Sequence, residues 1–460
     1  MGDQSEGNEE KESRTGERIA FVLFFISCMA LAFGYGTAAV RFDWFPYNIL
    51  RDAAKAGADW SKNWKAYTKT EPVKHLRPAK YEGQGVTVYD KDKSQPGATL
   101  LAGVWKGADD WHLGLRLVGP KGNLIHEWPV NPKEIWPVSP HSDLEKGGWS
   151  DKYTTHIHGA TLVSGGDVIF NLEYLGLVRM NACGKVVWKL PSRTHHVVYP
   201  SGGGTFWVAG RRWIEQKTDR HPGLISPYTE ETLLQVSKDG KVLRDISVLD
   251  VIYESGHEGL MFASKYEPGI GTGSDNDFMH LNDVEVLEES MADAFPLFRV
   301  GDIMISLRNI NAVMVIDGKK GHIKWSITHP FIRQHDPDFT KDGFITVFDN
   351  RREGFNTVEP QEFGGSRIIK INPATKEVTK LYPKKPEQKF FSNVLGKHQH
   401  LANGNMLLSE AEFGRALEVT RSGEIVWSYI NRWDETRTAF VEQATRYPAQ
   451  FAQVSKSSCR

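Results

Sequence analysis

One short unit recurs along this chain: a strand, a tight glycine turn and a second strand that closes on tryptophan. It reads G-P-K-G-N-L-I-H-E-W to Trp128, N-A-C-G-K-V-V-W to Trp188, D-G-K-K-G-H-I-K-W to Trp325 and R-S-G-E-I-V-W to Trp427. Two further copies lack the tryptophan, S-K-D-G-K-V-L-R-D-I around Gly240 and N-P-A-T-K-E-V-T-K-L around Lys376. Spaced unevenly, by very roughly 40 to 75 residues, these copies predict an all-β fold, a six-bladed β-propeller with loop insertions. A solenoid of stacked β units is the alternative, but its repeats are usually shorter and more regular.

Composition agrees with many tight turns and aromatic-anchored strands, with 43 glycines and 14 tryptophans. A hydrophobic fraction of 40% is ample for a core. The formal net charge of -1 gives no global basic field, and no basic run is interleaved with aromatics, so a nucleic-acid partner is not expected.

Ahead of the repeats, residues 1–18 read as a polar, disordered tail. Residues 19–40 carry no charge over a length able to cross roughly 30 Å of hydrocarbon, so they predict one transmembrane helix. The alternative is a cleaved signal peptide, whose apolar region is usually shorter. Basic residues flank the stretch on both sides, Lys11, Arg14 and Arg18 against Arg41, Arg51 and Lys55, so charge does not set the orientation. Residues 41–84 read as a helical linker, 85–430 as the propeller, and 431–460 as an extension packing on it. Cys28 lies in the apolar stretch, and Cys183 and Cys459 are too few and too separated to read as a disulfide framework.

The histidines keep a phase relative to the repeats. His158, His196 and His335 each stand eight residues before a glycine, at Gly166, Gly204 and Gly343, just ahead of an apolar strand. His280 and His400 occupy the same hand-over with other spacings. Inner strands of propeller blades line one channel, so residues at one phase converge, here into a ring of imidazoles. A single histidine at such a place is more often a hydrogen-bonded structural residue, but five in phase point to a site. Imidazoles with Asp336 or Asp283 could also hold a transition metal. Arg308, Arg351 and Arg352 in the same neighbourhood weigh against a cation and suit an anion, so no metal or cofactor is expected.

These residues resemble the arylsulfotransferase family. The likeness runs from Gly85 to about Phe451, on G-V-T-V-Y-D with P-G-A-T-L-L, D-F-M-H-L-N, S-L-R-N-I-N-A-V-M-V-I-D, Q-H-D with F-D-N-R, N-G-N-M-L-L with E-V-T-R-S-G-E-I-V-W, and A-T-R-Y-P-A-Q-F. It implies a six-bladed propeller on the periplasmic or outer side of a membrane, moving a sulfuryl group from an aryl sulfate donor to a phenolic acceptor through a sulfohistidine. By motif, His280 and His335 match histidines that hold the sulfate or assist the leaving group, and Arg351 or Arg352 matches the sulfate-binding arginine. His400, with His398 as its rival, falls where the nucleophile is wanted. Without an acidic neighbour it suits a neutral imidazole, whereas Asn282 and Asp336 could orient His280 and His335. Arg308, Asn282, Asn350, Arg352, His158 and His196 are the expected substrate-binding residues. A non-catalytic anion-binding envelope propeller and a metal-dependent hydrolase or lyase are the other readings.

Overall fold

Every copy of the repeat forms a hairpin on the outer side of an antiparallel blade, and the described residues build six blades, five of four strands and one of five. The computed structural model describes residues 6–68, 71–108, 110–141, 155–163, 165–216, 218–224, 226–261, 277–352, 363–452 and 454. They fall into two units, 1–68 and 69–460.

From inside outward, blade 1 is Val441–Tyr447, Ala98–Lys106, Trp111–Val118 and Leu124–Val130, and blade 2 is Ile157–Leu162, Val168–Leu172, Gly176–Met180 and Val186–Leu190. Blade 3 follows as Arg193–Ser201, Thr205–Ile214, Tyr228–Val236 and Val242–Ser247, and blade 4 as Leu281–Val286, Ile303–Leu307, Ala312–Ile316 and Ile323–Ile327. Blade 5 is His335–Phe339, Ile345–Asp349, Arg367–Ile371 and Val378–Tyr382. Blade 6 is Lys397–His400, Met406–Glu410, Arg415–Val419 and Ile425–Ile430, with Gly85–Tyr89 added on its outer edge.

Middle strands such as Ile303–Leu307 and Ala312–Ile316 are buried throughout, because each blade is covered on both faces by its neighbours; hence their unbroken apolar runs. Three of the repeat tryptophans explain why the motif needs an indole. Trp188, Trp325 and Trp427 donate their Nε1–H to carbonyls in the outer turn of the following blade, Lys238 at 2.8 Å, Pro373 at 2.8 Å and Pro120 at 2.9 Å. Each therefore joins apolar burial to one directed bond, worth about 1 kcal/mol net, across a blade boundary.

The ring closes through the chain's tail. Val441–Tyr447 pairs with the strand Ala98–Lys106, with Val441 opposite Gly103 and Tyr447 opposite Ala98. Leu76–Pro78 also pairs with Arg437–Ala439. Residues 431–460, read from sequence as an extension packed on the propeller, thus include the innermost strand of blade 1. That strand carries no tryptophan turn, so the repeat pattern alone passed over it.

In the first unit, helix α1 (Glu6–Phe42) contains the apolar segment Arg18–Phe42, 25 residues with a mean hydropathy of 2.2, long and apolar enough to cross a membrane. Helix α2 (Tyr47–Tyr67) follows it. Cys28 is a free thiol, whereas Cys183 is disulfide-bonded, which the wide cysteine spacing did not reveal.

Candidate active site

Five of the six inner strands break register within their first residues, between Ile157 and Ala160, His195 and Val198, Leu281 and Asp283, His335 and Asp338, and Val441 and Gln443. Such bulges re-aim side chains that a regular pleat would bury in the blade. His196, His280 and Asp336 take left-handed backbone conformations at these places, with φ of 59°, 54° and 51°. Non-glycine residues pay on the order of 1–3 kcal/mol for that, and such strain collects at functional sites.

Four of the in-phase imidazoles meet there. The ring of His196 lies 3.8 Å from that of His158, 4.8 Å from His280 and 6.4 Å from His335, centre to centre. Around His196 runs a hydrogen-bonded chain whose tautomers follow from its ends. The Asp277 carboxylate accepts from His280 Nδ1–H at 2.5 Å, leaving His280 Nε2 to accept from His196 Nε2–H at 3.1 Å. His196 Nδ1 then accepts from His195 Nδ1–H at 2.7 Å, and His195 Nε2 accepts from the Glu231 carboxyl at 3.0 Å.

Charge agrees with this assignment. Burial raises the Asp277 carboxyl, but His280, Arg211 and Arg308 outweigh it and hold the group below the usual carboxylate range. Burial, reinforced by Asp277, pushes the Glu231 carboxyl well up, so it keeps its proton. Burial takes His195 down to about 3, with Arg211 adding to the effect, and His196 falls well below its ordinary value. Every imidazole in the chain is neutral, and a proton can pass along it.

His335 stands beside this chain with a tautomer of its own. The Asn350 amide donates to the carbonyls of Ser392 at 2.8 Å and Leu395 at 2.7 Å, so its Oδ1 must accept from His335 Nδ1–H, at 2.7 Å. His335 Nε2 is therefore a lone pair, buried and without a hydrogen-bond partner among the described residues. Burial and the Arg308 guanidinium keep the ring neutral.

Guanidinium groups crowd the same region. Burial pulls Arg308 down, although Asp277, Tyr174 and Glu173 oppose it. Arg352 is lowered to about 10 by burial and by Arg308, and Arg333 to about 9 by burial and by Arg352. Buried guanidiniums, Arg308 depressing Arg352 and Arg352 depressing Arg333, fit a site made for an anion.

The other expected residues take different places around the cluster. Arg351 packs its guanidinium over Phe363 at 5.4 Å, and its neighbour Arg352 feels the charge of Arg308. Asn282 donates to the Gln334 carbonyl at 2.7 Å and so fixes the backbone ahead of His335. Asp336 does not orient His335; it holds His398 Nδ1 at 2.9 Å and Lys397 at 2.8 Å. His400 is not brought to the imidazole cluster. Its Nε2 meets Thr346 at 2.9 Å, and Thr346 pairs with Asp338, three residues along the inner strand from His335. Across the bulge the paired strand advances only two residues, from Phe348 to Thr346, which at about 3.3 Å per residue is roughly 7 Å further down the channel. There His400 lines a cavity of about 1250 Å³ together with Asp283, Glu285, Asp338 and Lys397.

Sequence reading passed over His195, Glu173, Glu231 and Asp277. Two signals were present: His195 adjoins His196, and Asp277 opens the D-F-M-H stretch three residues before His280.

A family model described as Arylsulfotransferase (ASST) matches residues 159–432. No curated protein sequence matches the chain. Among solved structures, a protein of unknown function from Bacteroides caccae is similar at 13% identity over 72% of this chain and 93% of that one, with a TM-score of 0.44. Virginiamycin B lyase from Staphylococcus aureus is similar at 12% identity over 64% and 84%, with a TM-score of 0.34. Hydrazine synthase from Kuenenia stuttgartiensis gives 13% identity over 74% and 80%, with a TM-score of 0.37.

Proposed function

The chain belongs to the arylsulfotransferase family, and from that premise we propose that it moves a sulfuryl group from an aryl sulfate to a phenolic acceptor through a sulfohistidine at His335. The observation that carries this reading is the orphaned lone pair of His335 Nε2, fixed by Asn350 and set beside Arg308. A neutral imidazole with one nitrogen tied down is a competent nucleophile.

Sulfuryl transfer spreads charge over equatorial oxygens, so cationic donors aimed at them supply much of the rate. Arg308, with Arg352 close to it, takes that role. In the first half-reaction the Nε2 lone pair forms the N–S bond, the S–O bond to the aryl group breaks, and the phenolate leaves with its electrons. The protonated Glu231 carboxyl, relayed through the neutral His195–His196–His280 chain, gives the phenolate its proton and recovers it from the acceptor phenol in the second half-reaction. The nucleophile passes from His400 to His335 in this account because His400 stands elsewhere in the channel.

The apolar segment Arg18–Phe42 supports membrane anchoring, and the disulfide at Cys183 supports an oxidising side such as the periplasm. A second reading has one specific support: among the described residues, the blade 6 histidines His398 and His400 meet Thr346 rather than the cluster, as expected of a propeller that binds sulfated ligands without turning them over. Incubating the protein with a chromogenic aryl sulfate, with and without a phenol, separates the two. Turnover that depends on His335 supports transfer; saturable binding with no phenol released supports the binding protein.

A further inference from the structure

Next to the imidazole cluster lies a carboxylate that neither the fold nor sulfuryl transfer accounts for. Glu442, on the closing strand of blade 1, is 4% exposed, and neither of its oxygens has a hydrogen-bond partner among the described residues. Leaving a carboxylate buried and unbonded is expensive, and such a group calls for an ion or water to satisfy it. Two imidazoles face it from other parts of the chain. His75 Nδ1 stands 3.9 Å from Oε1, and His156 Nε2 stands 3.6 Å from Oε2.

Those separations are too long for hydrogen bonds. They are close to the roughly 3.4 Å between two donors that sit about 2.1 Å from one tetrahedral ion. Ligand atoms of all three residues lie within 4.8 Å of one another. From these contacts we infer that His75, His156 and Glu442 form a binding site for a divalent transition metal, with zinc the best match.

The supporting shell is already in place. His156 Nδ1 faces Glu173 Oε2 at 3.3 Å while Nε2 faces Glu442, the carboxylate–histidine pairing that orients a metal-binding imidazole. The second oxygen of Glu173 holds His158 Nδ1 at 3.1 Å, so one carboxylate orients both the metal ligand and a member of the imidazole cluster. Two histidines and one glutamate leave a fourth position open for water.

The placement also gives the ion a structural consequence. His75 precedes the strand Leu76–Pro78, and its carbonyl accepts from the Phe440 amide at 3.0 Å. Glu442 lies on the closing strand, and His156 leads into the inner strand of blade 2. One ion would fasten together the N-terminal segment, the C-terminal strand and the neighbouring blade, that is, the seam at which the ring closes.

The test uses full-length protein in detergent, stripped with chelator, dialysed, and titrated with zinc chloride. One equivalent of zinc is expected, with a rise in Tm of about 5 °C from binding to the folded state. Cobalt in its place should show the visible absorption of a four- or five-coordinate ion. Glu442→Gln, which keeps shape and volume, should weaken zinc binding at least 100-fold, Glu173→Gln by roughly 10–100-fold, and His398→Ala should leave the stoichiometry at one. Tight zinc binding retained by both Glu442→Gln and His156→Ala, or a folded wild-type protein that binds neither metal, would overturn the site and leave Glu442 a buried protonated carboxyl. Because binding and Tm are read without any aryl sulfate, this outcome is independent of sulfuryl transfer.

Discussion

Asn350 Oδ1 lies 2.7 Å from His335 Nδ1, and because both amide hydrogens of Asn350 go to backbone carbonyls, this contact sets which nitrogen of His335 is a lone pair. An aspartate at position 350 would accept from the same nitrogen but would favour the imidazolium. Asn350→Asp should therefore slow transfer by about 10²-fold at pH 6 and much less at pH 9. The pH–rate profile of phenol release checks this; an unshifted profile would mean that Asn350 does not govern the state of His335.

Arg308 should matter through the transition state. Removing one charged donor from a preorganised site costs about 10²–10³ in kcat, so Arg308→Ala is expected to fall in that range with a smaller change in KM. A variant that loses only KM would place Arg308 in ground-state binding alone.

Acid should destabilise the fold through His196 and His335. Both have folded-state pKa values pushed well below the usual 6.5, by burial together with His158 and Arg308 respectively. The unfolded chain binds those protons below about pH 6.5 while the folded chain does not, so their contribution is complete above that pH and is lost as pH falls. Comparing Tm from pH 8 to pH 4.5 for the wild type and His335→Asn isolates one of them. The wild type should lose more on acidification than the variant; equal losses would show that His335 titrates normally.

Gly159 connects blade packing to the site. It has a φ of 93°, and a Cβ there would stand 2.2 Å from the His196 carbonyl oxygen. Gly159→Ala should destabilise by about 1–3 kcal/mol from backbone strain and contact, and should lower transfer by displacing His196. Denaturant unfolding with a parallel rate measurement tests it, and a stable variant with reduced activity would still establish the link to His196.

Much of the architecture was legible because the outer hairpins are local. Their turn residues and tryptophans are adjacent in sequence, so six copies could be counted directly. The closing strand Val441–Tyr447 was not, since its partner Ala98–Lys106 is more than three hundred residues away and nothing in its sequence repeats. In the site, phase brought out His158, His196, His280 and His335, because blade geometry carries one phase to one end of the channel. It misplaced His400, whose strand Lys397–His400 pairs with its neighbour in unbroken register. Without a bulge to turn it, His400 faces the deeper cavity. Long-range partners such as Glu231 and Glu442 were invisible, because their meaning comes from what the closed ring sets beside them.

The most direct test of the account is to find the sulfuryl group. Protein mixed briefly with an aryl sulfate and no acceptor, then digested and analysed by mass spectrometry under alkaline conditions that preserve an N–S bond, should carry the added mass on the peptide containing His335. His335→Ala should carry none, and His400→Ala should still be labelled. A label on the His400 peptide, or one that survives in His335→Ala, would contradict the assignment.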